Sequence, residues 1–498
     1  MKRKFWMSVL LIVALLVTMI PTVAAAPAEQ GDGGFDYIVV ADDWLSKLAL
    51  KYLGDMFAYP AIAYYTNQKA AEDESYAKIT DYDLIEVGWK LYIPSPEEAQ
   101  AYFATRAQAL GATAGDTIKI GALAPLSAPG SVTGGQAMKA AFEIAVEEIN
   151  AAGGVLGKPV QLILVDTEGL PERGTAAMER LITQDKVVAV VGEYHSAVGL
   201  TAKEVAHKYG IPIVFAETWN DNITAVRYPE VFRVAPLSSE IANLDANFIQ
   251  YLGAKKVVIM TENTGYGIPA AEKTTQRLKE RGIESVTFSA DIGTQDFSGI
   301  IERIKAENPD LILVLLTGET SFNFEQQAAE AGIGPQDVMM ICNQVADDSE
   351  SFWKNVPDGN LCFYRKVGLP PVLWTEKTKA FAEKYMERTG KTGVESYAME
   401  AYDSLWVMAT AINNAGTTDP KAIINALEDI EYDGALGTIT FPINSKNPPE
   451  KAGVEDKWWH QFPDFAAVFI QYQEPGQPSS EAPVVFPEKF QTAKPIKP

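Results

Sequence analysis

Two cysteines, Cys342 and Cys362, are all that this chain of 498 residues contains, and it has only three histidines, His195, His207 and His460. That is too little thiol for a metal cluster or a disulfide scaffold, and the histidines are too far apart to show ligand spacing. The reading calls for no metal and no cofactor. In an oxidising exterior the two cysteines have the option of pairing, and spacing alone does not decide whether their geometry permits it. Basic residues are scarce as well: 42 Lys and Arg stand against 65 Asp and Glu, a formal charge of −23. So acidic a surface repels phosphate backbones, which argues for no nucleic-acid partner. Catalytic signatures are missing too, with no Gly-x-Ser-x-Gly elbow, no P-loop and no His-Glu-x-x-His. His195 beside Ser196 is the one nucleophile–base candidate, and adjacent residues rarely point at each other. The expectation is a binder rather than an enzyme.

Long apolar runs are confined to the first residues. Lys2, Arg3 and Lys4 precede a mostly apolar stretch from Phe5 to Ile20, Pro21 ends it, and Ala24-Ala25-Ala26 supplies small residues. This predicts a signal peptide over 1–26, cleaved after Ala26, and a secreted, extracytoplasmic chain. A retained anchor is the alternative, for which the run is short. No cysteine near the cleavage point supports a lipid-anchored form. With 47% hydrophobic and 21% charged residues the rest is ordinary globular composition, and its length calls for two or three compact units.

Residues 36–95 read as a small unit. Tyr37-Ile38-Val39-Val40 is strand-like, Leu45, Leu48, Ala49 and Tyr52 fall at helical spacing, Gly54 stops that helix, a second covers 60–67, and Leu91-Tyr92-Ile93-Pro94 closes with a strand. The segment resembles the lysin motif (LysM) at Tyr37, Val39, Asp43, Leu45, Leu48, Ala49, Tyr52, Gly54, Ile62, Asn67, Gly88, Leu91, Ile93 and Pro94. It departs with Asp42 for Gly, Trp44 for Thr, Tyr59 for Trp and Val87 for Pro, and carries an insertion around 69–78. The resemblance implies binding to peptidoglycan or another N-acetylglucosamine glycan, with Asp43, Trp44 and Leu45 in the first strand–helix loop as candidate contacts. A module kept as a spacer is the alternative. Residues 96–115 follow as a linker.

From Thr117 short apolar strands alternate with amphipathic helices for more than 300 residues, which predicts doubly wound parallel sheets with ligands at the strands' carboxyl ends. The strands are expected at 118–123, 160–165, 187–192, 213–215, 256–260 and 311–316, and beyond Asn447 the chain turns irregular. The segment 117–475 resembles the branched-chain amino-acid binding proteins, a type 1 periplasmic binding fold. The resemblance rests on an ordered series: Ile120-Gly121, Pro125-Leu126-Ser127, Gly135-Gln136, Gly153 to Gly157, Asp166, Val190-Val191-Gly192 with Ser196, Tyr228-Pro229, Tyr266-Gly267, Asp296-Phe297, Asn308-Pro309-Asp310 and Ala331-Gly332. It implies two α/β lobes joined by a hinge, the first about 116–237 and 368–435, the second about 238–367 and 436–475. Residues 476–498 are left as a Pro-rich tail. It further implies a small-molecule solute and an ABC permease partner, with a sensory receptor that does not transport as the alternative.

The same resemblance, together with the tendency of helix N-termini to bind carboxylates, marks the candidate ligand-binding residues. They are Ser127; Tyr194, His195, Ser196 and Ala197; Glu217, Thr218 and Trp219; Tyr266; Thr317 and Gly318; and Asn343 and Gln344. At one loop the family pattern fails. Members for amino acids usually show Ser-Pro-x-Ala-Thr-Asn, and this chain reads Phe215-Ala216-Glu217-Thr218-Trp219-Asn220, with Glu217 for a small residue and Trp219 for the Thr. A tyrosine usual before the first-helix Gly-Gln is replaced by Gly134. The expected solute is therefore an amino acid or a related polar, amide-bearing or cationic molecule, and not a simple branched-chain amino acid.

Overall fold

The computed structural model describes residues 33–41, 43–53, 58–80, 84–99, 101–102, 117–370 and 373–498. The predicted signal peptide, Asp42 and most of the 96–115 linker lie outside them. The chain divides into two compact units near Gln100.

The small unit runs strand, helix, helix, strand: β1 (Phe35–Ile38), helices Leu45–Leu53 and Tyr59–Glu72, and β2 (Lys90–Ile93). β1 and β2 pair antiparallel, Phe35 opposite Ile93 and Ile38 opposite Lys90. Leu45, Leu48 and Ala49 share one helix face and pack with Ile62, Leu91 and Ile93 as the core. Asn67 clamps the long middle loop. Its amide donates to the Ile79 carbonyl and accepts the Ile79 N–H, both at 2.7 Å.

In the large unit the first lobe holds β3 (Ile118–Ala124), β4 (Val160–Asp166), β5 (Ala189–Gly192), β6 (Ile213–Phe215) and β7 (Val231–Arg233). They form one sheet of order β4-β3-β5-β6-β7, parallel throughout. The second lobe holds β8 (Lys256–Glu262), β9 (Glu284–Ala290), β10 (Leu311–Leu315), β11 (Met339–Cys342) and β12 (Phe363–Val367). A hairpin, β13 (Glu431–Gly434) and β14 (Gly437–Thr440), stands apart from both sheets, and β15 (Ala467–Gln471) and β16 (Val484–Phe486) complete the second in the order β16-β15-β12-β11-β10-β8-β9. Both sheets are doubly wound, with helices on each face. β10 shows why: Leu-Ile-Leu-Val-Leu is buried at all five positions, as a parallel strand covered on both sides must be. Cys342 and Cys362 are joined as a disulfide, with 6.1 Å between Cα atoms.

Two boundaries differ from those read in the sequence. Residues 436–462 belong with the first lobe, where Ile439, Phe441 and Phe462 join the core built on helix Ser396–Ala415. The cause is buried Asp403 on that helix, whose carboxylate accepts the Ala435 and Leu436 N–H groups at 2.9 and 2.7 Å and anchors the hairpin there. Nor do residues 476–498 stand as a tail outside the second lobe. Val484 to Phe486 form β16 on the outer side of β15, and the Gln471 side chain bonds both backbone groups of Ile496. An antiparallel edge that would otherwise stay unpaired is thereby covered.

Among the described residues the chain crosses between lobes three times: after β7, after β12, and between 462 and 467. No helix among them is long and apolar enough to cross a membrane.

Candidate functional site

In a doubly wound sheet the loops at the carboxyl ends of strands on either side of a reversal in strand order open a crevice. Here β5 and β6 of the first lobe and β8, β10 and β11 of the second send such loops toward each other. They enclose a space of about 290 Å³, its mouth included, lined by Tyr194, His195, Ser196, Glu217, Trp219, Tyr266, Thr317, Asn343 and Gln344.

The first-lobe residues are set by a sharp turn. Gly192 ends β5 with φ +100, and a Cβ there would meet the Leu123 carbonyl at 2.5 Å, so only glycine lets the chain swing outward. Tyr194 then lies across Gly134, where a Cβ would fall 2.6 Å from its ring. The residue that departs from the family pattern at the start of helix Val132–Ala151 therefore makes room for an aromatic from another loop. Next, His195 Nε2 accepts the Ser131 N–H at 3.0 Å, and burial pushes His195 down to about 4, so it is neutral. Ser196 opens helix Ser196–Tyr209, and its hydroxyl accepts the Trp219 and Asn220 N–H groups at 2.9 and 3.1 Å. One side chain thus ties the β5 loop to the β6 loop.

Glu217 and Trp219 both lie buried in the cleft, not at a solvent-facing rim. Glu217 Oε1 accepts the Gln344 amide from the opposite lobe, and burial pushes Glu217 up to about 8. Trp219 reaches into the second lobe's core, edge to face with Tyr266 at 6.1 Å and 5.9 Å from the Arg365 guanidinium. On the second lobe, Thr317 donates both its N–H and its hydroxyl to buried Glu262, at 2.9 and 2.7 Å. Asn343 caps the short helix that carries Gln344, accepting the Val345 N–H at 3.0 Å.

Four expected residues do not line the space. Ser127 is exposed and spends its hydroxyl on Asp166. Ala197 lies one residue inside the helix, against Gly265. Thr218 is buried beneath Gly199, and its carbonyl accepts from Arg233. Gly318, at φ +53, packs directly on Ser131, where a Cβ would stand 2.6 Å from the Ser131 Cα. In the small unit, Asp43 is occupied by the Val40 N–H and the Tyr37 hydroxyl, and Leu45 is core; of those three, Trp44 alone offers an exposed side chain.

Two features escaped the sequence reading. Glu319 of the second lobe accepts the Val132 and Thr133 N–H groups at 3.1 and 2.8 Å, closing the start of a first-lobe helix. Arg365 forms an ion pair with Asp245, both buried, at 2.9 Å. Consecutive Arg365 and Lys366 within an apolar strand were the available signal, because cations are almost never fully buried without partners. Among the described residues no group of three His, Cys, Asp or Glu stands where it could hold a metal ion.

Residues 117–451 match a family model described as "Periplasmic binding protein". Leu/Ile/Val-binding protein homolog 7 of Brucella abortus is 26% identical over 381 residues, covering 72% of this chain and 95% of that protein. An amino acid binding protein of Pseudomonas aeruginosa is 27% identical over 322 residues, covering 64% and 84%. Among solved structures, the branched-chain amino acid transporter substrate binding protein LivJ of Streptococcus pneumoniae, in complex with isoleucine, superposes with a TM-score of 0.62. It is 23% identical and covers 77% of this chain and 100% of that one. An ABC transporter solute-binding protein from R. palustris, in complex with benzoate, gives a TM-score of 0.63 at 19% identity, covering 75% and 98%.

Proposed function

The chain belongs to the periplasmic binding protein family, and from that premise we propose that it captures a small solute outside the cytoplasmic membrane and hands it to an ABC permease, as a binder and not a catalyst. One observation carries this reading: the strand-end loops of both lobes converge on one lined space. The protein can then close by a hinge motion at the three crossovers, driven by the solute's greater affinity for the closed form.

The solute we infer is an amino acid or a related polar, amide-bearing or cationic molecule. Isoleucine and benzoate, held by the two structural neighbours, share a carboxylate. Ser196 at a helix N-terminus suits such a group, since unpaired N–H groups and the helix dipole both favour negative charge there. Glu217 and Trp219 support a departure from simple branched-chain amino acids at the other end of the solute.

The test is the unfolding temperature of the mature chain against amino acids, their amides, polyamines and small aromatic acids. A solute present at 100 times its Kd adds roughly 2.7 kcal/mol. A clear rise with one class is expected, and a flat response across the whole panel overturns the reading.

For residues 36–95 we propose weak binding to N-acetylglucosamine-containing wall glycan. Support comes from the LysM-like residues and from exposed Trp44 beside its loop. Even weak attachment through a linker raises the local concentration of a soluble binder near its permease. The mature chain is expected to sediment with purified peptidoglycan, and a Trp44→Ala variant to sediment much less; equal sedimentation of the two removes Trp44 from the site.

A further inference from the structure

The cleft contains several polar atoms that the protein leaves without a partner. Glu217 Oε2, Tyr194 Oη, Trp219 Nε1 and Gln344 Oε1 are all buried and make no hydrogen bond of good geometry, although Glu217 faces Trp219 and Tyr194 faces Gln344. A buried polar atom without a partner is destabilising, and native cores contain few. Four such atoms on residues lining one space are the mark of a place shaped for a guest.

The charges facing that space define the guest. None of its lining residues is Lys or Arg. His195 is neutral and already accepts the Ser131 N–H. The nearest guanidinium, Arg365 on β12, lies behind the Trp219 ring; its Nη1 is engaged by both oxygens of Asp245 at 3.0 and 2.9 Å, its Nε and Nη2 have no partner, and its charge offsets only part of the effect of burial on Glu217. Glu262 lies under Thr317, which donates twice to it. Glu325 holds the Asn343 N–H. Glu193, whose carbonyl accepts the Glu217 N–H at 3.0 Å, spends one carboxylate oxygen on the His195 N–H and is pushed up to about 7 by burial. The other side chains lining the space around Glu217 are the uncharged Tyr194, Trp219, Tyr266, Asn343 and Gln344. Glu217 is thus the one lining side chain able to present a formal charge, and that charge is negative. It comes from the first-lobe loop, where the family pattern has a small residue.

We propose that the solute carries a cationic nitrogen, which Glu217 Oε2 receives between the rings of Tyr194, Trp219 and Tyr266, and that its capture converts the Glu217 carboxylic acid to a carboxylate with release of one proton to solvent. The inference rests on the binding-protein reading above. The step balances: the O–H bond of the acid breaks, the proton leaves to water, and the electron pair stays on the carboxylate that faces the cation. Aromatic faces favour a cation over an anion at the same place. Burial holds Glu217 as the acid near neutral pH, up to about 8, and an arriving positive charge reverses that balance.

The experiment is calorimetric titration of the mature chain at pH 7 in two buffers of different ionisation enthalpy, paired with unfolding temperatures. The probes are leucine, leucinamide, lysine, arginine, putrescine, agmatine, benzoate and 4-methyl-2-oxopentanoate. Cationic probes are expected to bind, with a buffer-dependent heat corresponding to about one proton released per solute. Their affinity should rise toward tenfold per pH unit below about 8 and level off above it. Glu217→Gln should lose both the proton release and the pH dependence, with affinity for the cationic probe reduced at least tenfold. Leucinamide against putrescine and agmatine separates an α-ammonium from a side-chain amine or guanidinium as the source of the cation. Binding of benzoate or the oxo acid in place of the amines overturns the proposal and leaves the binding-protein reading standing. Amine binding with no buffer dependence overturns the proton step. No response to any probe, with the broader panel also flat, overturns both.

Discussion

Glu319 Oε1 accepts the Thr133 backbone N–H at 2.8 Å and the Thr133 hydroxyl at 2.7 Å, joining the second lobe to the start of a first-lobe helix. Carboxylates are stabilising at helix N-termini, and this one caps its helix from across the cleft. Because the contact exists only when the lobes meet, its free energy belongs to closure and not to folding of either lobe. Glu319→Ala is expected to weaken solute binding by about 0.5–2 kcal/mol, roughly 2- to 30-fold in Kd. Calorimetry measures the loss. X-ray scattering should show a larger radius of gyration without added solute, converging on the wild-type value at saturation.

Gly134 and Tyr194 form the second cross-loop relationship that shapes the cleft. A methyl group at 134 would sit 2.6 Å from the Tyr194 ring and 2.9 Å from the Ser131 hydroxyl, well inside contact distance. Gly134→Ala is therefore expected to push Tyr194 out of place and lower solute affinity by tenfold or more. Overpacking of this kind typically destabilises by about 1–3 kcal/mol, so a modest fall in unfolding temperature should accompany it. Unchanged affinity would show that the Tyr194 ring is not part of the solute's surroundings.

Much of this architecture was legible in the chain. Buried apolar strands such as Leu311–Leu315 announce themselves by composition, and the residues just past their carboxyl ends are where a doubly wound sheet places a site. That position marks the loop of Tyr194 to Ser196, while Glu217, Trp219, Tyr266, Thr317, Asn343 and Gln344 are marked chiefly by the resemblance to the branched-chain amino-acid binding proteins. Side-chain direction was not legible. Thr218 sits between Glu217 and Trp219 yet points under Gly199, and Gly318 beside Thr317 is spent on close approach to Ser131. Contacts across the cleft escaped for a different reason. Glu319 and Thr133 are 186 residues apart, and no local pattern records a meeting that closure alone brings about.

Glu325 is fully buried: Oε1 accepts the Asn343 N–H at 3.1 Å and Oε2 has no partner. Burial pushes its carboxyl up to about 8 from an ordinary 4.5. Between those values the unfolded chain has released a proton that the folded chain keeps. Stability from this group is therefore complete below about 4.5 and falls as pH rises toward 8. Glu325→Gln is expected to remove that slope, changing the unfolding temperature little at pH 5 and raising it by a few degrees at pH 8.5 relative to wild type. Parallel melting curves at the two pH values decide it; an equal shift at both would exclude titration of Glu325 as the cause.

Arg365 and Asp245 pose the sharper energetic question, because both are fully enclosed behind Trp219. Removing one partner of a buried pair leaves an uncompensated charge, at a cost of about 3–5 kcal/mol, whereas replacing both with apolar residues of similar volume is often neutral or stabilising. Arg365→Met alone should therefore destabilise strongly, and Arg365→Met with Asp245→Leu should recover most of the loss. The double variant also separates stability from recognition. The pair is formally neutral and stands behind Trp219, so solute affinity in the recovered protein should stay within a few fold of wild type. A large loss of affinity in a stable double variant would instead mean that the guanidinium acts on the solute through the Trp219 ring, and the cation-selective reading of the cleft would then have to include it.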